Sequence, residues 1–244
     1  MDHKFEKYSV KEFINLIFAS LTGVTLYFLF ENKALLYTSP TNASLIINAV
    51  PVFTTILYDI KLLKFPDKRE YLGVAIAFAG TAIVVLNGRF ILKFNPLGDT
   101  LMIFAALSWA FYTIFIEKIL ENHSYLSVLR DMFLLGSILL LPFSFKDVVR
   151  DGISWIFNPS ALFSFLFLSL LASSLGYFFW NRGIKEIDPK IVTNSIYFMP
   201  IITSIEDVLI TKGKVNIYHL IGGTMILIGV VIINRRLKSE KNLS

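Results

Sequence analysis

Long apolar runs alternate with short charged stretches along almost the whole of this sequence. A helix needs about 20 mostly apolar residues to cross the hydrocarbon core of a bilayer. The pattern therefore predicts an all-α integral membrane protein with eight transmembrane helices. The predicted spans are 13–30, 41–60, 71–87, 100–119, 126–145, 161–181, 191–211 and 219–234. The fifth span is the weakest, because Arg130 and Asp131 lie near its start and Pro142 near its end.

The distribution of positive charge tests this number of spans independently. Cytoplasmic loops of membrane proteins carry an excess of Lys and Arg. With eight crossings, 16 of the 23 basic residues fall on one side of the membrane and 7 on the other. Removing the fifth span would move the basic C-terminal cluster to the sparse side. We therefore expect that span to cross and both termini to be cytoplasmic.

Composition excludes several other classes of protein. A hydrophobic content of 55% and a mean hydropathy of +0.65 are too high for a soluble domain of 244 residues. The absence of Cys rules out disulfides and thiol catalysis. Basic cytoplasmic loops account for the net charge of +5, so we expect a lipid bilayer and no nucleic acid as partner. The three histidines lack metal-ligand spacing, and we expect neither a metal nor another cofactor.

The sequence also contains an internal repeat. Residues 18–83 align without a gap on residues 167–232, and 14 of the 66 pairs are identical. The matched residues include Asn, Pro and Gly, which chance matching of apolar residues does not explain. Because the chain between equivalent points crosses the membrane an odd number of times, equivalent helices run in opposite directions. Such inverted repeats are typical of secondary transporters.

The two copies of the repeat differ in length. Spans 100–119 and 126–145 precede the second copy, and nothing corresponding precedes the first. We therefore assign residues 1–97 to an incomplete first repeat of three helices and residues 98–244 to a complete second repeat of five. The chain is interpreted as the remnant of a ten-helix, five-plus-five fold. Two helices, about 60 residues with their loops, are expected to be missing before the first repeat.

Four segments resemble the EamA-type family of the drug/metabolite transporter superfamily. They read YTSPTNASLIINAVPVFTTIL at 37–57, GDTLMIFAALSWAFYTIFIEK at 98–118, YFFWNRGIKEIDPKIVTNSIYFMPIIT at 177–203 and HLIGGTMILIGVVI at 219–232. The resemblance implies two inverted five-helix halves around a central substrate cavity in the plasma membrane. It also implies export of a small metabolite, often an amino acid or a related compound.

Acidic residues inside predicted spans are the sharpest candidates for a substrate or proton site. Glu206 and Asp207 lie in the seventh span, and a charge near the bilayer centre costs several kcal/mol unless it faces a cavity or a partner. Glu206 is the candidate for binding a substrate amine or a proton. The alternative is that both acids reach the headgroups near Lys212.

Three residues are predicted to act as hinges or as a gate. Pro51 and Pro200 occupy equivalent repeat positions inside spans, and proline kinks a helix by freeing a backbone carbonyl. Paired kinks suit hinges beside a central site, although they could also be purely structural. Glu31, at the end of the first span, is a candidate gate or an ordinary helix-end residue in water.

The remaining substrate candidates are polar and aromatic. They are Asn48, Ser108, Trp109, Tyr112, Asn194 and Tyr197. Asn48 and Tyr197 precede the two prolines at equivalent positions, and Ser108 and Tyr112 share a helix face. Rings with a few amides and hydroxyls suit a small amphipathic or cationic metabolite. Interhelical packing, an interfacial aromatic belt and interhelical hydrogen bonds are the alternatives.

Two pairs of glycines predict close helix packing. Gly73 and Gly80 are seven residues apart, as are Gly222 and Gly229, so each pair shares one helix face. These faces could pack within the chain or between two copies of it, which would make a homodimer.

Three functional classes follow from these observations. The favoured hypothesis is a secondary transporter that works by alternating access. There is no Walker-type phosphate loop, and no intramembrane protease motif supports an enzyme. The alternative is a truncated, non-transporting remnant or a partner subunit of a membrane assembly. A start codon assigned too late would equally explain the missing helices.

Overall fold

The computed structural model describes residues 7–88, 94–152, 154–210 and 216–241, and every secondary-structure element within these ranges is helical. In this part of the chain, seven helices are long and apolar enough to cross a membrane. They cover Val10–Leu35, Pro40–Leu62, Lys68–Leu86, Pro96–Leu120, Tyr125–Phe145, Pro159–Glu186 and Ile217–Arg235. Each corresponds to one predicted span, including the weak fifth one. The all-α expectation is therefore confirmed.

The predicted span 191–211 is the exception. Its residues are helical, but they form a short helix, a 3-10 turn over Ser195–Phe198 and a second helix. The segment is not among the seven apolar helices. Asn194, Glu206 and Asp207 lower its hydropathy, and the turn interrupts it. An eighth crossing therefore stays a prediction.

Several of the long spans are divided into shorter helices. The α-helices are α1 (Val10–Ser20), α2 (Tyr27–Leu35), α3 (Pro40–Ile47), α4 (Val50–Leu62), α5 (Lys68–Leu86), α6 (Pro96–Leu120), α7 (Tyr125–Asp151), α8 (Pro159–Leu166), α9 (Gly176–Glu186), α10 (Pro189–Asn194), α11 (Met199–Ile210) and α12 (Ile217–Lys241). Two π-helical segments, Leu21–Leu26 and Phe167–Leu175, join α1 to α2 and α8 to α9. A 3-10 turn, Ser154–Phe157, precedes α8.

Polar side chains begin several of these helices by satisfying free backbone N–H groups. Ser9 and Glu12 form a capping box at the start of α1. The Asp67 carboxylate accepts hydrogen bonds from the first turn of α5. Asn216 lies 149 residues later, and its side-chain oxygen accepts the Tyr218 and His219 N–H groups at 3.0 and 3.2 Å. The two last helices of the predicted repeats thus start with the same device.

The residues form two compact units. The first unit draws on Met1–Leu29 and Phe111–Pro189, and the second on Phe30–Ala110 and Lys190–Ser244. Each unit therefore contains residues from both predicted repeats. The division at residue 97 concerns sequence similarity rather than compactness, so it stays a prediction.

The second unit is built around α5 and α12. A Cβ atom on Gly80 would lie 2.6 Å from the Gly222 carbonyl oxygen, and one on Gly229 would lie 2.6 Å from that of Gly73. The early part of α5 therefore packs on the late part of α12, so the helices are antiparallel. The predicted glycine faces pack within the chain, as small-residue faces do in membranes.

The first unit contains both π-helical segments and a group of packed aromatic rings. The Tyr112 ring packs so closely on Gly23 that a Cβ there would lie 2.5 Å from its Cδ2 atom. The Thr25 hydroxyl donates to the Gly136 carbonyl oxygen at 3.1 Å. Small and hydroxyl-bearing residues therefore join the π segment Leu21–Leu26 to its neighbours.

Candidate functional site

The first interrupted helix of the second unit lies between α3 and α4. Helix α3 ends before Asn48, and Pro51 is the second residue of α4. Proline is tolerated in the first turn because the N–H it lacks has no intrahelical partner there. The Asn48 amide nitrogen donates to the Ser44 carbonyl oxygen at 2.7 Å, one turn earlier. The interruption therefore falls at the predicted hinge.

The second interrupted helix of this unit has the same pattern. Helix α10 ends at Asn194, the 3-10 turn Ser195–Phe198 follows, and Pro200 is the second residue of α11. Pro51 and Pro200 are 149 residues apart. The sequence pattern thus located both interruptions, because a proline restricts the backbone in the same way wherever it occurs.

Buried polar atoms accompany both interruptions. The side chains of Asn48, Asn194 and Tyr197 are 1%, 1% and 0% exposed. Within the described residues, Asn48 Oδ1, both amide atoms of Asn194 and the Tyr197 hydroxyl have no hydrogen-bond partner. A buried polar group without a partner costs about 1–3 kcal/mol, so such groups are rare without a role. These three side chains can hydrogen-bond a polar solute.

Apolar packing fixes the position of the Tyr197 ring. It belongs to a buried cluster with Val74 and Ala77 of α5 and Ile226 of α12, against which Val52 of α4 also packs. The interrupted helices therefore share the core that the glycine-packed pair supports. Rigid support of this kind holds a binding side chain in one orientation.

The other predicted residues of the second unit have varied surroundings. Ser108 is buried, and its hydroxyl donates to the Phe104 carbonyl oxygen of its own helix at 2.7 Å. Trp109 and Glu31 are half-buried, whereas Glu206 is exposed on α11. The Asp207 side chain and Lys212 lie outside the described part of the chain. Glu206 therefore lies on the interrupted helix with its side chain exposed.

Tyr112 is the one predicted site residue in the first unit. Its hydroxyl donates to the Asn181 side-chain oxygen. The Tyr177 hydroxyl donates to the Gly23 carbonyl oxygen within the π segment, and the two tyrosine rings lie 5.7 Å apart. A π segment leaves carbonyl groups available for such bonds. The sequence reasoning did not identify Asn181 and Tyr177 as partners of Tyr112, since 69 and 65 residues separate them from it.

A buried ion cluster in the second unit was also not predicted. Lys190 Nζ lies 2.8 Å from Glu70 Oε1 and 3.4 Å from Asp59 Oδ1. These side chains belong to α10, α5 and α4, and all are at most 11% exposed. The sequence analysis did not single out Lys190. The sequence shows two acids, Asp59 and Glu70, on either side of the short loop 63–67. Only the fold shows that Lys190 lies between them.

Comparison with known proteins agrees with this architecture. The family model described as the EamA-like transporter family matches residues 1–86 and 96–235. The chain belongs to the EamA-like transporter family. The predicted family resemblance is therefore confirmed, and this EamA-like chain is an integral membrane protein and a transporter rather than an enzyme.

Relatives of this EamA-like chain carry transporter names. An uncharacterized transporter of Archaeoglobus fulgidus is 32% identical over 93% of the chain and 78% of its own length. The uncharacterized transporter YyaM of Bacillus subtilis is 28% identical over 80% of the chain and 64% of its own length. A probable amino-acid metabolite efflux pump of Escherichia coli is 23% identical over 78% of the chain and 66% of its own length. Each relative therefore has residues beyond the aligned part.

A crystal structure also resembles this EamA-like chain. Its TM-score is 0.73 at 17% sequence identity, and the alignment covers 91% of this chain and 76% of that one. At this identity the likeness shows a shared fold alone. No cluster of three or more potential metal ligands occurs among residues 7–88, 94–152, 154–210 and 216–241.

Proposed function

We propose that this EamA-like protein is a secondary transporter of the plasma membrane that exports a small metabolite, such as an amino acid or a related amphipathic compound. The names of the Escherichia coli and Salmonella typhimurium relatives, both probable amino-acid metabolite efflux pumps, support this substrate class. The second unit contains the buried polar side chains that would bind such a substrate.

The observation that carries this proposal is the pair of interrupted helices whose buried polar atoms have no hydrogen-bond partner in the described part of the chain. In secondary transporters, substrates bind where helices are interrupted within the membrane. Two amides and a phenol can donate to a carboxylate and accept from an ammonium group. An amino acid carries both groups.

The remaining predicted residues complete the proposed site. Glu206 would bind an amine or a proton, since an anion on an interrupted membrane helix needs a positive partner. Ser108 would supply a hydroxyl group, and Trp109 an aromatic face for an amine. These three assignments extend the site within the second unit, beyond the residues at the interruptions.

The interruptions also suggest how the site changes its access. Pro51 and Pro200 would act as hinges, and Glu31 as a gate at the end of the first span. The antiparallel packing of α5 on α12 supports the predicted inverted repeat. In such proteins one site opens alternately to each side of the membrane. The Lys190 cluster would hold the nearby helix ends together in one of these states.

Transport assays on single variants test the binding site. In proteoliposomes loaded with a panel of labelled amino acids, the wild type is expected to release at least one of them. Asn194→Leu should raise the KM for that substrate about tenfold, because a hydrogen bond is lost without a change of shape. The control is Thr224→Val, because the exposed Thr224 hydroxyl donates to the Leu220 carbonyl oxygen of its own helix. An unchanged KM in Asn194→Leu would exclude Asn194 from the site.

A second assay tests the role of Glu206. Glu206→Gln removes the charge but keeps the size of the side chain. We expect it to abolish proton coupling or amine binding while the folded fraction remains normal. If the flux and its pH dependence are unchanged, Glu206 does not bind the substrate amine or the coupling proton.

A further inference from the structure

A basic cleft lies at one end of the second unit, apart from the interrupted helices. It has a volume of about 660 Å³ and is lined by cations from two helices, Lys68 and Arg69 of α5 and Arg235 of α12. Phe65 and Ile232 form its apolar part, and Asp67 also lines it. A cleft of this composition combines positive charge with apolar surface.

The cations lie at the ends of two apolar helices, where lipid headgroups are expected. The apolar span of α5 begins at Lys68, and that of α12 ends at Arg235. Both helices are long and apolar enough to cross a membrane and are antiparallel, so the start of one and the end of the other lie at the same end of the pair. Lys68 and Arg69 are therefore adjacent to Arg235 where the hydrocarbon core ends.

Local structure does not explain why these cations converge. Lys68 and Arg69 are the first two residues of α5, where the positive end of the helix dipole disfavours cations. The one acid of the cleft, Asp67, accepts hydrogen bonds from the Arg69 and Glu70 N–H groups at 2.9 and 3.1 Å. An added anion would relieve the repulsion among the three cations.

The loop beside the cleft favours a lipid as the source of this anion. Leu63 and Phe65 are 91% and 98% exposed, Lys64 lies between them, and Lys68 and Arg69 follow. Apolar and aromatic side chains next to Lys and Arg are typical of segments that enter the interface of an anionic membrane. A soluble anion would gain nothing from this apolar surface.

We propose that this cleft binds the headgroup phosphate of an anionic lipid, with Lys68, Arg69 and Arg235 as the phosphate-binding residues. The acyl chains lie along the apolar surface beside Phe65 and Ile232. This site is separate from the proposed substrate site, so its occupancy changes the stability of the second unit rather than the choice of substrate.

Native mass spectrometry of the purified full chain tests this proposal. With phosphatidylglycerol added in detergent, the wild type should retain one tightly bound lipid, and with phosphatidylcholine none. Arg69→Gln and Arg235→Gln should each weaken retention of phosphatidylglycerol about tenfold, because each removes a charge-assisted hydrogen bond. Both variants should have the wild-type thermal midpoint in phosphatidylcholine, which shows that they fold.

Two controls separate this site from general attraction. Lys11→Gln removes an exposed cation that the charge bias places on the same side of the membrane. It should retain phosphatidylglycerol like the wild type, and equal loss in Lys11→Gln would overturn a specific cleft. Inorganic phosphate should fail to displace the lipid at the same concentration. Displacement would overturn the lipid assignment in favour of a free-phosphate site.

Discussion

Two buried tyrosines show that single residues of the same type have different roles in this chain. The Tyr112 ring packs on Gly23, and its hydroxyl donates a hydrogen bond to the Asn181 side-chain oxygen. Tyr197 is equally buried, but its hydroxyl has no hydrogen-bond partner among the described residues. The sequence analysis grouped both as substrate residues. The structure shows that the two hydroxyl groups have different surroundings, and a substrate role for either residue stays a prediction.

Replacing each tyrosine by phenylalanine is expected to separate these roles. Tyr112→Phe leaves the Asn181 oxygen buried without its donor and should lower the free energy of unfolding by about 1–3 kcal/mol. Tyr197→Phe removes a hydroxyl that has no partner, so stability should be unchanged or slightly higher. Thermal midpoints in detergent measure both effects. Equal destabilisation by the two variants would show that the Tyr197 hydroxyl has a structural partner.

The Lys190 cluster makes a second prediction for single residues. Lys190→Met leaves Asp59 and Glu70 buried without this cation, and removing one partner of a buried ion pair typically costs about 3–5 kcal/mol. Arg182→Gln is the control, because the Arg182–Glu186 pair is about half exposed. Surface pairs contribute no more than about 1 kcal/mol. Similar thermal midpoints for the two variants would contradict a structural ion cluster.

At the scale of elements, helix interruptions are the feature that the sequence predicted best. Both prolines lie in the first turn of a new helix, at the predicted kink positions, and their role as hinges stays a prediction. The π segments Leu21–Leu26 and Phe167–Leu175 were not predicted, although residues 170–175 are the repeat equivalents of 21–26. Proline acts through its own ring, whereas a π segment depends on partners such as Tyr177 that come from distant parts of the chain.

Adjacent glycines in α12 allow a test of element packing. Gly222→Ala would place a Cβ 2.6 Å from the Gly80 carbonyl oxygen, so α5 and α12 would have to separate. We expect destabilisation of about 1–3 kcal/mol from this overpacking. Among the described residues, a Cβ on Gly223 would have one neighbour within 4 Å, Ile201 Cγ1 at 3.9 Å. Gly223→Ala should therefore be neutral or stabilising by up to about 1 kcal/mol through helix propensity.

Thermal unfolding of the two alanine variants in the same detergent compares them directly. The mutations are chemically identical and one residue apart, so any difference reports on the helix contact. A destabilised Gly223→Ala with a normal Gly222→Ala would place the close contact on the other face of α12.

At the scale of the whole molecule, sequence order and compact units differ. Each unit combines helices from the beginning and the end of the chain. The helices α2 and α6 each contribute residues to both units. The number of crossings decides which loops lie on the same side of the membrane. That number depends on whether the segment 189–210 crosses.

Cysteine labelling can establish whether that segment crosses. The chain has no native Cys, so Ile187→Cys and Ile217→Cys, both at exposed positions, each carry a single label site. If 189–210 spans the membrane, a membrane-impermeant thiol reagent added to intact cells should label Ile217→Cys and not Ile187→Cys. Labelling of both or neither before lysis would place the two positions on the same side and reduce the number of crossings to seven.

The sequence by itself determined the membrane class, seven of the helices, both interruptions and the family. These features depend on local hydropathy, on proline geometry and on residues within single segments, all of which can be read without knowing the fold. Only the tertiary structure decided that Lys190 meets Asp59 and Glu70, that Tyr112 bonds to Asn181, and that the cations of two helices line one cleft. Such contacts join positions 69 to 167 residues apart, and hydropathy contains no information about which distant side chains will meet.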